Sequence, residues 1–165
     1  MALILLNFNI KIKFNKLFKM KNIFLIVPVL FLMSFVNWQS SFIRAVQKAK
    51  KENKLILLNF SESDGNESCI LFKKEILDNN KFKQFSDTTL MLVNADFPKE
   101  NKNQLAEEKK TQNNELAEIY NSSRVFPKTL LLTADGKIIK TWEGKTTSKA
   151  DEFIQEIITI IDSRK

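Results

Sequence analysis

A single cysteine, Cys69, is the one strong nucleophile among the 165 residues of this sequence. It closes the loop Ser61-Glu62-Ser63-Asp64-Gly65-Asn66-Glu67-Ser68-Cys69, between an apolar run, Leu55 to Phe60, and a helical pattern that begins near Ile70. A thiol in the first turn of a helix can be activated, because the positive end of the helix favours the thiolate. Lys73 stands one turn further on. A Cys-x-x-Cys pair would place its other thiol three residues earlier, and there the chain has Asn66. One Cys permits no intramolecular disulfide, and with no His there is no Cys-His dyad and little basis for a zinc site. Resolving a mixed disulfide requires a second nearby thiol, which Cys69 lacks within this chain.

Three roles for Cys69 are open. It is a small buried hydrophobe at a helix start, a monothiol that forms a mixed disulfide with a partner, or the link of a disulfide-bonded homodimer. The residues favour the first. Asp64, Asn66, Glu67 and Ser68 offer oxygens, but their spacing fits no calcium loop, so they are expected to cap the following helix instead. No metal and no cofactor are expected. Asn66-Glu67-Ser68 and Asn121-Ser122-Ser123 match the glycosylation acceptor pattern, which is frequent by chance.

The elements that must position Cys69 follow from periodicity. Ser40-Ser41 caps a helix over 42–51, and Leu55 to Phe60 is a strand covered on both faces. A second helix runs from Cys69 to about Leu77, and Phe82 and Phe85 form a short packed turn. Thr89 to Asp96 is the second strand. Residues 98–114 are polar and read as a solvated surface insertion with room for partial helix, followed by a short amphipathic helix carrying Leu116, Ala117 and Tyr120. Thr129 to Thr133 is a third strand, and Ala134-Asp135-Gly136-Lys137 turns it into an antiparallel partner, Ile138 to Trp142. Thr147-Ser148 caps a last helix with Phe153, Ile154, Ile157, Ile158 and Ile161 as its stripe. The order α-β-α-β-α-β-β-α implies an α/β fold with a mixed central sheet and helices on both faces.

The net charge of +7 is unevenly spread. Residues 1–38 hold five lysines and no acid, which leaves 21 basic and 19 acidic residues in the remainder. A domain of near-balanced charge lacks the basic patch that nucleic acid requires, so no nucleic-acid partner is expected. Lysines before the apolar stretch Ile23 to Val36 have the order of a secretory signal. Its fourteen residues are short beside the roughly 20 of a membrane span. Ser34 and Val36 make a mediocre cleavage site, so an uncleaved anchor extended through Trp38 is the alternative. Met20-Lys21-Asn22 resembles a natural signal start, with residues 1–19 as an upstream extension. Residues 1–38 are therefore assigned to an extension plus signal peptide or membrane anchor, and 39–165 to the folded domain.

The order of elements, the site loop after the first strong strand, and Val125-Phe126-Pro127 before the hairpin together resemble the thioredoxin superfamily. The match is to exported bacterial thioredoxin-like proteins whose site reads Phe-Ser-x-Ser-Asp-Trp-Cys-x-x-Cys. Asn59-Phe60-Ser61-Glu62-Ser63-Asp64 and Phe72-Lys73-Lys74-Glu75 carry it, with Trp142-Glu143-Gly144 after the hairpin. The resemblance implies a thioredoxin-like fold over about residues 40–163 and a cis peptide before Pro127. It also implies a groove beside Phe126 and Pro127 whose backbone can pair with an extended peptide. It makes Cys69 the second, resolving cysteine. Asn66 replaces the nucleophile, Gly65 the preceding Trp, and Asn59 the acid buried beneath the pair.

The resulting expectation is an exported protein, periplasmic or anchored to the outer face of the inner membrane. Its expected role is a non-catalytic protein- or peptide-binding accessory module. The alternative is a monothiol redox protein acting through Cys69. The partner is an unidentified protein or peptide, and membrane contact is confined to the N-terminal segment.

Overall fold

The computed structural model describes residues 38–144 and 149–164. The basic and apolar leader, and the Thr147-Ser148 cap expected for the last helix, lie outside the described residues. Within them, no helix is long and apolar enough to cross a membrane.

Helix α1 (Phe42–Glu52) begins where expected: the Ser41 side chain accepts the Arg44 N–H at 3.3 Å, and Asn53 ends it in the left-handed region. Strands β1 (Leu55–Ser61) and β2 (Leu90–Asp96) are parallel, with Leu57 opposite Leu92 and Asn59 opposite Asn94. Strand β3 (Lys128–Leu132) runs antiparallel to β1, and β4 (Ile138–Glu143) antiparallel to β3, giving the order β2-β1-β3-β4. Trp38 adds one parallel bridge to Leu92 at the outer edge.

Alternation along the strands divides the core between two faces. Ile56, Leu58 and Phe60, with Met91 and Val93, meet Ala45 and Ala49 of α1 and Leu116 and Ala117 of α4 (Glu107–Tyr120). On the other face Leu57, Leu92 and Leu131 meet α2 (Glu67–Phe72), the π-helical turn Lys73–Leu77, α3 (Asn80–Thr89) and α5 (Ala150–Asp162). The ring of Phe153 ties that layer together, lying 5.8 Å from Phe72, 6.0 Å from Phe82 and 4.9 Å from Trp142. This is the α/β arrangement expected, a mixed sheet between two helical layers.

Three elements depart from the expectation. The turn around Phe82 and Phe85 is a ten-residue helix, α3, capped by Asn79, whose side chain accepts the Lys81 N–H at 2.9 Å. Its outward face is polar throughout, and Phe82 and Ser86 are its fully buried residues, so its two phenylalanines alone read as a short turn. The polar stretch 98–114 is not one insertion, since its second half is the first half of α4. That half is anchored by buried Asn113, which donates to the Asp96 carbonyl at 2.8 Å, and a search for apolar periodicity passes over an amide. The site helix begins at Glu67, two residues earlier than expected, and its last stretch is π-helical, with Asp78 N–H bonded back to the Lys73 carbonyl.

Candidate functional site

The site lies where β1 ends. Loop 62–66 carries the chain from β1 to α2, and Asn66 stands at the N-cap with extended backbone. Its Oδ1 accepts the Cys69 N–H at 3.2 Å, meeting one of the amides that the first helical turn leaves unpaired. Its Nδ2 donates to the Phe126 carbonyl at 3.3 Å. One side chain thus joins the helix start to the loop before β3. The Phe126–Pro127 peptide is cis. Pro127 itself is buried and Phe126 half-buried, its ring 5.3 Å from Phe97. Arg124 stands over Phe97 at 5.2 Å. Where the resemblance implies a groove, the structure places the half-buried Phe126 ring against Phe97, Pro127 is buried, and the Phe126 carbonyl is already engaged by Asn66.

Cys69 is 3 % exposed and unpaired. Its sulfur accepts the Glu62 N–H at 3.4 Å. Burial pushes the thiol pKa up; the Glu62 amide opposes this, while the Glu62 and Asp96 carboxylates add to it. A thiol so placed is a poor nucleophile at neutral pH. Beneath it, Asn59 is bonded on both ends: its Oδ1 accepts from Thr129 Oγ1 at 2.9 Å and its Nδ2 donates to Asn94 Oδ1 at 2.8 Å. An amide held this way moves no proton.

Of the four loop residues expected to cap the helix, Asn66 does so and Asp64 turns elsewhere. The Asp64 carboxylate accepts from Lys99 N at 2.7 Å, Glu100 N at 3.0 Å and Asn103 Nδ2 at 2.9 Å. The Asn103 amide and then the Lys99 N–H hold its carboxyl below the usual carboxylate range. Lys99 lies over Gly65, where an added Cβ would stand 2.8 Å from Lys99 Cδ, and its ammonium pairs with Glu62 at 3.0 Å. Lys99 therefore covers the space a side chain at position 65 would enter. Among the described residues no cluster of three His, Cys, Asp or Glu side chains could hold a metal ion.

Sequence reasoning passed over Lys99, Asn103, Ser63, Asn94 and Asp96. Only the last two left a usable signal, as polar residues at alternate positions at the end of an apolar strand.

A mixed sheet between helical layers, a cis-proline loop facing the start of a helix, and a thiol in the first turn of that helix define a thioredoxin-fold domain. The chain belongs to the thioredoxin-like domain family, which matches residues 42–160. It is 34% identical over 102 residues to the disulfide bond reductase DsbH of Chlamydia pneumoniae, a match spanning 62% of this chain and 59% of that protein. A solved DsbH oxidoreductase superposes with a TM-score of 0.69 at 28% identity, covering 77% of this chain and 85% of that one. A disulphide isomerase from Xylella fastidiosa shares the fold, with a TM-score of 0.52 at 20% identity over 70% of this chain and 87% of its own.

Proposed function

We propose that this protein is an exported member of the family that binds an extended protein or peptide segment beside Phe126, rather than exchanging disulfides. It is exported to the periplasm or held on the outer face of the inner membrane by its N-terminal segment. The observation that carries the reading is Asn66, whose side chain is committed to two structural hydrogen bonds at the position the family resemblance gives to the nucleophile. The half-buried Phe126 and Phe97 rings supply apolar surface for a bound side chain, and loop backbone nearby supplies pairing groups. The similarity to a disulfide bond reductase supports a place in disulfide-related work outside the cytoplasm, such as holding a client for another enzyme. The rival, monothiol chemistry through Cys69, has against it a buried sulfur with a raised pKa.

The test is binding of the full-length chain to an array of extended peptides, with Phe126→Ala and Cys69→Ser in parallel. Peptide capture lost in Phe126→Ala and kept in Cys69→Ser is the expected result. Capture indifferent to Phe126, or disulfide reduction that disappears in Cys69→Ser, would sink the reading.

A further inference from the structure

Strands β1 and β2 change character partway along one face. Leu57 and Leu92 face the core of Phe72, Ile76 and Leu77. Two residues on, the same face carries Asn59 opposite Asn94, and two further on Ser61 opposite Asp96. Polar side chains inside a sheet layer cost stability unless bonded, and these are bonded to one another. Ser61 Oγ lies 2.6 Å from Asp96 Oδ1 and 3.2 Å from Asn94 Oδ1. Ser63 donates to the Asp96 carboxylate through both its N–H, at 3.0 Å, and its hydroxyl, at 2.6 Å.

Above this polar floor is a cavity of about 690 Å³, walled by Trp38, Ile70 and Leu77 and reached by Lys74 and Lys109. Its volume falls within the roughly 300–1,000 Å³ of small-molecule sites. It lies at the carboxyl ends of two parallel strands, where α/β sheets collect ligands. Trp38 is 39 % and Ile70 47 % exposed, so both present apolar surface to the cavity.

The hydrogen-bond accounting gives the chemistry of the occupant. The Asp96 carboxylate is filled by Ser61 and Ser63. Asn94 Nδ2 donates to none of the described residues, although its Oδ1 accepts twice. Lys109 Nζ gives one bond, to the Ser40 carbonyl at 3.0 Å, and has two protons left. At the rim Asp78 is paired with Lys73, and the Cys69 sulfur accepts from Glu62, so beside the aromatic and aliphatic wall Asn94 and Lys109 are donors with capacity to spare, one of them cationic. We propose that this cavity is a binding site for a small organic carboxylate with an aryl or alkyl body. Its carboxylate meets Lys109 and Asn94, and its body lies against Trp38, Ile70 and Leu77. Partial burial holds the Lys109 ammonium below its usual range, and a bound carboxylate relieves that penalty. The inference does not rest on the Phe126 groove.

The test is calorimetric titration of the full-length chain with 3-phenylpropionate and with octanoate, using 3-phenylpropanamide as the neutral control. Saturable binding of at least one carboxylate is expected. The amide control, and the Lys109→Met variant titrated with the carboxylate, should each bind at least about tenfold more weakly. Asn94→Ala is the second variant and should weaken binding without Lys109 being touched, with circular dichroism confirming that both variants fold. Absence of saturable binding by either carboxylate overturns the proposal. So does equal affinity for the amide, or wild-type affinity in both folded variants.

Discussion

Asn66 donates its side-chain amide to the Phe126 carbonyl at 3.3 Å while its oxygen caps the helix that carries Cys69. Two segments that are 60 residues apart in sequence are thus joined through one side chain. A thiol at this position could make neither bond well, so Asn66 gives the loop a fixed anchor. Asn66→Ala should cost about 1–2 kcal/mol, combining a lost cap with a carbonyl left unpaired. Denaturant unfolding of the variant against the wild type checks this. A loss near zero would mean that neither bond contributes.

Introducing a thiol at position 66 tests whether this loop can support dithiol exchange. Asn66→Cys places a second thiol one helical turn before Cys69, at the spacing that exchange requires. The variant should form a disulfide that a thiol count detects, and it should gain reductase activity that Cys69→Ser in the same background abolishes. Activity should stay low, because Asn59 cannot take up or release the proton that a buried acid would. Asn59→Asp added to Asn66→Cys should therefore raise it.

Cys69 in the native protein should resist alkylation at neutral pH. Its folded pKa lies above the ordinary thiol value because burial disfavours the thiolate. The folded state holds the proton more tightly, so the thiol's contribution to stability is full below the ordinary thiol pKa and falls as pH rises through the folded value. Labelling should be at least about tenfold slower than in the denatured chain at neutral pH, and should accelerate only in alkaline solution. Labelling at the free-thiol rate would instead support monothiol chemistry.

The Asp64 clasp has the opposite sign. Its folded pKa is lowered by the amides of Asn103, Lys99 and Glu100, so what it contributes is present above the ordinary Asp pKa and lost as pH falls through the folded value. The Lys99 and Glu100 amide proton resonances should titrate together in acid, at a midpoint below that of a free Asp. In Asp64→Asn that transition should vanish. Two amides that titrate independently would mean that Asp64 does not bind them jointly.

Gly65→Trp tests whether Lys99 has merely filled the space that an aromatic ring would take. The clash at 2.8 Å is with the flexible end of a lysine, and Gly65 has no positive φ. Moving Lys99 sacrifices its ion pair with Glu62, whose carboxylate is largely buried while the ammonium is exposed, a contact expected near the upper end of the about 0–1 kcal/mol of surface pairs. Thermal unfolding should show a loss of no more than about 1 kcal/mol. Gly136→Ala is the contrast, since Gly136 has φ +80 and its Cβ would stand 2.8 Å from the Tyr120 hydroxyl. It should cost more than about 1 kcal/mol.

The parts of this fold that were legible in sequence are those whose burial is apolar and periodic. Leu55 to Phe60, Leu90 to Val93 and Thr129 to Leu132 declare strands because both faces are covered. Asp135-Gly136 declares the hairpin through its need for positive φ. The site loop was legible through Asn66 and Cys69, whose separation is a covalent fact of the chain. What remained hidden depends on polar groups meeting across space. Lys99 over Gly65, Asp64 on the 99–103 segment, and Asn94 beside Asn59 have no sequence period, because each pairing is made by topology.

Asn113 shows how much such a hidden contact can carry. It is wholly buried in the middle of a helix whose other residues are largely polar, and it donates at 2.8 Å to the backbone of Asp96. That bond holds α4 against the end of β2, next to the polar floor built from Ser61 and Asp96. Its Oδ1 has no partner among the described residues, so the amide is only half satisfied. Asn113→Asp keeps the shape but replaces the donor with an acceptor facing a carbonyl, and burying that carboxylate should cost more than about 3 kcal/mol near neutral pH. The loss should shrink as pH falls and the new carboxyl becomes protonated, because the neutral acid can donate to Asp96 again. Asn113→Leu should cost less, about 1–3 kcal/mol, since it leaves one carbonyl unpaired but removes the unsatisfied oxygen. Denaturant unfolding of the three proteins at two pH values separates these effects. A Leu variant less stable than the Asp variant at neutral pH would show that shape, not hydrogen bonding, fixes α4 at this position.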